Sequence, residues 1–263
     1  KIYTRFKKAI IVILLLLIAF WIFVEIANQN SKNMTGRQKV LKAVYPMLMW
    51  FAGKKGVNTK NLSNENSVPP VSFYSLQDTS NKGTPFNFEQ LKGKKIMLVN
   101  TASDCGYTGQ YDDLQKLSEQ YKEKLVVIGF PANDFKEQEK GSDEDIAAFC
   151  RINFGVSFPL MKKSQVKKGP GQNKIFEWLT DPAKNGWNNK QPSWNFCKYI
   201  VDEQGRLTHF FESAIEPLGK EITAVFNPTG QGYATSSQTI YLSGEKGEKV
   251  LLLSGTADDQ RFL

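Results

Sequence analysis

Hydrophobic positions form three kinds of pattern along the chain, and each predicts a different kind of segment. Residues 9–24 are an apolar run with no charge, Gly or Pro, as in a helix that contacts lipid. From residue 71 to residue 226, short apolar runs alternate with segments whose apolar residues recur every three or four positions. Residues 53–66 are polar and rich in Asn and Lys. These patterns predict an anchor, a tether and one folded domain.

The alternation within residues 68–226 predicts an α/β domain with a mixed sheet flanked by helices. Two of the runs, 95–100 and 125–130, are almost wholly apolar, which is typical of central strands buried on both faces. The predicted strands are 71–75, 95–100, 125–130, 196–201 and 207–211, and the predicted helices are 111–121, 142–150, 173–179 and 216–226.

The N-terminal region predicts a membrane segment. A basic stretch, residues 1–8, precedes a predicted transmembrane signal anchor over residues 9–27. A cleaved signal peptide is the alternative, but Glu25 lies where cleavage requires a small residue. We expect the N-terminus to stay inside and the folded domain to be extracytoplasmic, in a periplasmic setting.

Residues 28–67 are predicted to be a juxtamembrane amphipathic segment and a tether. Val40–Phe51 is rich in Met and aromatic residues, and Pro46 would kink any helix formed there. Two interpretations stay open: an interfacial helix that lies on the bilayer, and a short helix that packs on the domain. Residues 53–66 would then be the flexible link to a domain that begins at residue 68.

Charge and composition exclude several function classes. The net charge is +8, but residues 1–60 hold 11 of the 34 basic residues and a single acid, Glu25, so the remainder is nearly neutral. Nucleic acid is therefore not an expected partner. The only His is His209, which excludes a zinc site with two histidines and means that a Ser-His or Cys-His hydrolase would depend on that one residue. The three Cys are too few for a four-thiolate zinc site. We expect no metal and no cofactor.

Cys105 is the candidate reactive residue. It lies between a predicted buried strand and a predicted helix, among Ser, Asp, Gly and Thr. Unpaired N–H groups and the helix dipole at such a junction stabilise a thiolate. A buried structural Cys is the alternative, but the polar neighbours favour a reactive thiol.

Four segments resemble, in order and spacing, the motif blocks of the glutathione peroxidase family: NTASDCGYTGQYDDLQKL, FPANDF, QEKGSDEDIAAFC and WNFCKYIVDEQG. The resemblance covers about residues 71–226 and implies a thioredoxin-like fold. By position, Cys105 is the peroxidatic residue in its cysteine form. Trp194 and Asn195 fall on the active-site Trp and Asn of the family.

The resemblance also implies a reaction cycle. Hydrogen peroxide or an organic (lipid) hydroperoxide would oxidise Cys105 to a sulfenic acid. Cys150 falls where cysteine-type members carry their resolving residue, which implies a Cys105–Cys150 disulfide. The reductant is expected to be thioredoxin-like rather than glutathione, because members with a resolving Cys resemble thioredoxin-dependent peroxidases. Cys197 is expected to be a packed, unreactive residue.

Three positions depart from the family pattern. Asp134 replaces the active-site Gln, and a carboxylate near Cys105 would disfavour the thiolate unless it is neutral, paired or turned away. Ala132 replaces another common Cys. The QEPG block becomes Gln138–Gly141, QEKG, which we interpret as a surface change.

Two other functions fit the predicted fold. A membrane-tethered thiol–disulfide oxidoreductase would need Cys-x-x-Cys, but Thr108 occupies the second Cys position. A metal-delivery protein would need two close thiols and a His, and His209 stands alone in a predicted strand. Residues 227–263, predicted to include a hairpin from 240–242 and 250–253, form an extension of unknown role.

Overall fold

The computed structural model describes residues 2–56, 60–227, 241–243 and 249–251. The strands are β1 (Asn61–Ser63), β2 (Gln77–Thr79), β3 (Pro85–Asn87), β4 (Lys95–Thr101), β5 (Leu125–Pro131), β6 (Lys198–Val201), β7 (Leu207–Phe211), β8 (Tyr241–Ser243) and β9 (Lys249–Leu251). The helices are α1 (Ile2–Ala27), α2 (Gly36–Lys55), α3 (Gln110–Gln120), α4 (Asp143–Phe154), α5 (Lys174–Leu179), α6 (Pro182–Asn185) and α7 (Lys220–Phe226).

The centre of the domain is a five-stranded mixed sheet with the strand order β1-β7-β6-β4-β5. Two apolar strands were predicted to be central. β4 is internal and pairs in parallel with β5, but β5 lies at the edge of the sheet, so its predicted central position is wrong. β6 pairs antiparallel with β4, and β7 with β6 through the turn after Val201. The mixed sheet expected from the alternation of elements is therefore present.

Both faces of this sheet are covered, which explains why β4 has no polar face. Met97 and Val99 point into one hydrophobic cluster with residues of α3, α4 and α7. Ile96 and Leu98 point into the other, with residues of α5 and the segment around Phe73. A mixed sheet between two such layers is the thioredoxin-like fold that the family resemblance implied.

Helix α4 begins as predicted but extends further. Ser142 caps it, since its hydroxyl accepts from the Asp145 N–H at 3.1 Å and the Asp145 carboxylate accepts from the Ser142 N–H at 3.2 Å. The helix continues past Cys150 to Phe154, and Gly155 ends it with φ of +64°. Cys150 therefore lies inside the last turns of the helix rather than at its end.

The predicted first strand, residues 71–75, is wrong. Phe73–Ser75 is a short 3₁₀ helix that the Leu76 N–H closes by donating to the Phe73 carbonyl at 3.1 Å. Phe73 is fully buried, with its ring 5.0 Å from that of Phe88 and 5.1 Å from that of Trp178. One turn suffices to bury this anchor, so the short alternation of apolar residues did not require a strand.

Part of the predicted tether also belongs to the sheet. β1 pairs antiparallel with β7 at the edge, with Leu62 opposite Phe210. The sheet therefore starts before the predicted domain start at residue 68. The small β2–β3 hairpin was not predicted. In the extension, β8 and β9 pair antiparallel near the two predicted segments, and most of 227–263 lies outside the described residues.

Two helices precede the domain. Within the described residues, one helix is long and apolar enough to cross a membrane. It is Arg5–Ala27 of α1, with a mean hydropathy of 3.1. A signal sequence has the same properties. α2 contains Pro46 and touches the domain through Tyr45 and Leu48, which lie against glycines of the loop after β4. It exposes Met47, Trp50 and Phe51 on its other side. One face of α2 therefore packs on the domain, as the second interpretation expected, and contact of the other face with a bilayer stays a prediction.

Candidate active site

Cys105 lies in a turn between β4 and α3, five residues before the helix begins. The helix N-terminus predicted for it is therefore wrong by more than one turn, and the loop itself must supply the N–H donors. Thr108 closes this loop, since its Oγ1 accepts from the Cys105 N–H at 3.0 Å and donates to the Ala102 carbonyl at 2.9 Å. The residue that breaks the Cys-x-x-Cys pattern thus has a structural use.

Trp194 and Asn195 are brought to this loop by the buried side chain of Asn100, at the end of β4. Asn100 donates from Nδ2 to the Trp194 carbonyl at 2.9 Å and accepts at Oδ1 from the Cys197 N–H at 3.0 Å. Its own carbonyl accepts from the Phe196 N–H at 2.6 Å. Phe196 takes φ of +65°, a costly left-handed conformation for a non-glycine residue that these contacts maintain.

Three N–H groups lie near the Cys105 sulfur. The Tyr107 N–H donates to Sγ at 3.4 Å, and the side chains of Asn195 and Trp194 are close enough to lower the pKa of the thiol. Burial raises the pKa of the Cys105 thiol, and the three donors oppose that shift. The thiol is fully buried. At rest, the buried thiol is therefore protonated to a greater extent than an exposed Cys would be. The N–H groups that stabilise the thiolate are already in position.

Asp134 does not face the thiol. Its Oδ2 accepts from the Val166 N–H at 2.6 Å and from the Lys167 N–H at 3.3 Å. The carboxylate is therefore paired and turned away, which was one of the conditions under which it would not disfavour the thiolate. The position that holds the active-site Gln in the family pattern contributes no amide to this site.

Sequence reasoning missed Gln138. Its Oε1 accepts from Asn195 Nδ2 at 3.0 Å, and both side chains are buried. Lys140, the changed residue of the QEKG block, is exposed and pairs with Glu137 at 2.8 Å, as expected for a surface change. The available signal was the position of Gln138 inside a recognised block, but nothing in the sequence pairs it with Asn195.

Cys150 lies in the same hydrophobic cluster as Cys105, and both are free thiols. Burial raises the pKa of Cys150 to about 12, the nearby Tyr111 side chain opposes part of this shift, and Glu139 adds to it. The resting Cys150 is therefore a protonated, inert thiol.

Cys197 lies in the other cluster, on the opposite face of the sheet. Its Sγ is 3.5 Å from the hydroxyl oxygen of Ser213. His209, in β7, stacks on Phe211 with ring centroids 5.6 Å apart and its Nδ1 lies 2.9 Å from the Thr208 hydroxyl. Neither residue lies with the group around Cys105.

Comparison with known proteins places this arrangement in a family. The glutathione peroxidase family model matches residues 73–180. Glutathione peroxidase-like peroxiredoxin 2 of Saccharomyces cerevisiae is 42% identical over 160 residues, which cover 60% of this chain and 98% of that protein. The glutathione peroxidase homolog BsaA of Staphylococcus epidermidis is 42% identical over 147 residues, 56% of this chain and 92% of that protein.

Among solved structures, T. cruzi GPX1 is similar, with 27% identity, a TM-score of 0.45, and coverage of 59% of this chain and 93% of that one. The identities and coverage of the relatives decide the class. The chain belongs to the glutathione peroxidase family, and its enzyme class is that of a thiol peroxidase.

Proposed function

We propose that this peroxidase uses Cys105 as its nucleophile against hydrogen peroxide or an organic hydroperoxide. The observation that carries the proposal is a buried sulfur that accepts from the Tyr107 N–H at 3.4 Å, with the side chains of Asn195 and Trp194 near enough to stabilise its charged form. Donors fixed in advance stabilise charge as it develops without reorganising during the reaction.

In the first step, the Cys105 thiolate attacks one oxygen of the hydroperoxide. The S–O bond forms as the O–O bond breaks, so sulfur is oxidised to sulfenic acid and the peroxide is reduced. The other oxygen leaves as alkoxide or hydroxide and takes up one proton, which balances the proton that the Cys105 thiol lost in forming the thiolate. The indole N–H of Trp194 and the amide N–H of Asn195 would stabilise this leaving oxygen without themselves becoming ionised.

In the second step, the Cys150 sulfur attacks the Cys105 sulfenic acid. The Cys105–Cys150 bond forms, and the hydroxyl leaves as water with the proton of the Cys150 thiol. Support comes from the shared hydrophobic cluster of the two residues. Because Cys150 is buried within α4, the last turns of this helix must open first, and local opening of this kind costs less than global unfolding.

A dithiol reductant would close the cycle by thiol–disulfide exchange: its two thiols are oxidised to a disulfide, and Cys105 and Cys150 are reduced to thiols. We favour a thioredoxin-like protein over glutathione, since several relatives are named peroxiredoxins and Cys150 offers a resolving thiol. Thiol–disulfide exchange as the main activity gains no support, because the Thr108 hydroxyl is engaged in closing the loop.

We also propose that α1 is an uncleaved anchor that leaves the catalytic domain outside the cytoplasm. Support comes from its uninterrupted apolar surface, with most side chains of residues 10–23 about half exposed. Its last turn is joined to α2, since Asn28 Nδ2 donates to the Lys39 carbonyl at 3.0 Å and Lys39 pairs with Glu25 at 3.0 Å.

Replacing each Cys in turn tests the assigned roles. Cys105→Ser should lower peroxide reduction by at least about 1,000-fold, because the nucleophile is lost. Cys150→Ser should keep a normal first turnover and lose thioredoxin-driven cycling. Cys197→Ser is the matched control, since that buried residue lies on the other face of the sheet. Stopped-flow peroxide consumption and coupled NADPH oxidation measure the two steps. Undiminished cycling in Cys150→Ser would contradict the resolving role.

Fractionation tests the anchor. The full chain should sediment with membranes and resist extraction with alkaline carbonate, and protease added to intact spheroplasts should reach the catalytic domain. A soluble form that begins near residue 28 would show instead that the apolar segment is removed as a signal peptide. Protection of the domain in intact spheroplasts would contradict the proposed orientation.

A further inference from the structure

The first inference concerns the buried pair Gln138–Asn195 and rests on the proposed function. A primary amide has two N–H groups. Asn195 Nδ2 donates to Gln138 Oε1 at 3.0 Å, and the same side chain lies close enough to Cys105 to lower the pKa of its thiol. Because one planar group makes both contacts, the acceptor on Gln138 sets the orientation of the N–H that reaches the thiol.

Gln138 is itself held rigidly. Its carbonyl accepts from the Asp104 N–H at 3.0 Å, and the next residue, Glu139, donates its N–H to Asn133 Oδ1 at 2.9 Å. The two preceding residues, Lys136 and Glu137, both have φ of +53°. Two consecutive non-glycine residues in the left-handed region are costly, and such strain is typical of loops that present a functional side chain.

We propose that Gln138 is a positioning residue that acts on the Cys105 thiolate through Asn195. Asp134 supplies no amide for this purpose, since its carboxylate accepts from the N–H groups of Val166 and Lys167. Without the Gln138 acceptor, the Asn195 amide would be free to rotate its second N–H away from the sulfur.

A double-mutant cycle tests this proposal. Gln138→Met keeps the length of the side chain and removes the acceptor, so it should raise the apparent pKa of Cys105 and slow its oxidation by about tenfold. In an Asn195→Ala background the same change should have no further effect. The pH profile of Cys105 alkylation, read by peptide mass spectrometry, and the single-turnover peroxide rate measure both. Gln115→Met is the control, because that buried amide bonds to Ser157 instead.

Equal slowing by Gln138→Met in both backgrounds would overturn the proposal, as would an unchanged pH profile. If peroxide does not oxidise Cys105 in the parent chain, the proposed function itself is contradicted. The two outcomes are therefore distinguishable in the same experiment.

The second inference rests on different contacts, those of the juxtamembrane segment, residues 28–55. At one end it holds the Cys105 loop, since Arg37 Nε lies 3.1 Å from Asp104 Oδ1 and Gln38 Nε2 donates to the Ser103 carbonyl at 3.2 Å. Further along α2, Leu48 approaches Gly106 of the same loop.

The same segment holds the last turn of α4. Lys42 Nζ donates to the Asn153 carbonyl at 2.9 Å and lies 4.6 Å from the centre of the Phe154 ring. The Lys32 N–H donates to Asn153 Oδ1 at 2.8 Å. A cavity of about 540 Å³ is lined by the segment, by Ser103 and Asp104, by residues 136–141 and by α4. The segment therefore bridges the two elements that carry Cys105 and Cys150.

We infer that the juxtamembrane segment is a strap that slows the opening of α4 and hence disulfide formation. The inference rests on the proposed resolving role of Cys150. Opening the last turns of α4 must break the contacts of Lys42 and Lys32 with Asn153, whereas attack on peroxide by Cys105 breaks neither. The strap thus acts on the second step and leaves the first unchanged.

Lys42→Met in the full chain tests the strap. It removes the hydrogen bond to Asn153 and the cation–ring contact, so conversion of sulfenic acid to disulfide should accelerate by about 3- to 10-fold, the range for loss of one such bond. Lys39→Met is the matched control, because that ammonium pairs with Glu25 of α1. Rapid quench with alkylation and peptide mass spectrometry follows both steps in each variant.

An unchanged rate of disulfide formation in Lys42→Met, or equal acceleration in Lys39→Met, would overturn the strap. If the parent chain forms no Cys105–Cys150 disulfide, the proposed function fails instead. Thermal unfolding midpoints within a few degrees of the parent would show that each variant remains folded.

Discussion

The candidate site depends on the carboxamide of Asn100. This single side chain, at the end of the central parallel strand, holds the backbone of residues 194–197 from a segment nearly a hundred positions away. Because buried polar groups left without partners cost free energy, the amide and the two backbone groups it satisfies stabilise one arrangement of this segment. Trp194 and Asn195 face the Cys105 loop as a consequence, and the left-handed conformation of Phe196 follows from the same constraint.

Two opposing effects on the Cys105 thiol, burial and nearby N–H donors, determine its reactivity. Full burial of Cys105 excludes water and raises the thiol pKa, whereas the N–H groups around the sulfur lower the free energy of its charged form. Such a site holds a smaller fraction of its resting sulfur as thiolate. Its N–H donors, however, are already oriented when charge develops on the leaving oxygen. Cys150 has no comparable set of donors, and its pKa of about 12 fits a thiol that reacts only after α4 opens.

Much of the fold was predictable from the sequence because its signals are local. The apolar runs of β4 and β5, the Ser142 cap of α4 and the turn between β6 and β7 each depend on neighbouring residues. The errors arose where distant contacts decide. Phe73 forms a 3₁₀ turn because rings from elsewhere in the chain enclose it, and Leu62 lies in a strand because β7 offers a free edge.

The site shows the same division. Motif blocks pointed to Cys105, Trp194 and Asn195, whereas Gln138 was missed because its partner is 57 positions away and no short pattern encodes that pairing. The resting position of Asp134 likewise depends on a remote backbone, at Val166 and Lys167.

The central claim is that peroxide oxidises the sulfur on which the three N–H donors converge. Treating the full-length Cys150→Ser chain with one equivalent of hydrogen peroxide in the presence of dimedone, followed by peptide mapping, tests it most directly. The account predicts a dimedone adduct on Cys105 and none on Cys197, since only the former lies among those donors. An adduct on Cys197 with Cys105 left as an unmodified thiol would contradict the account.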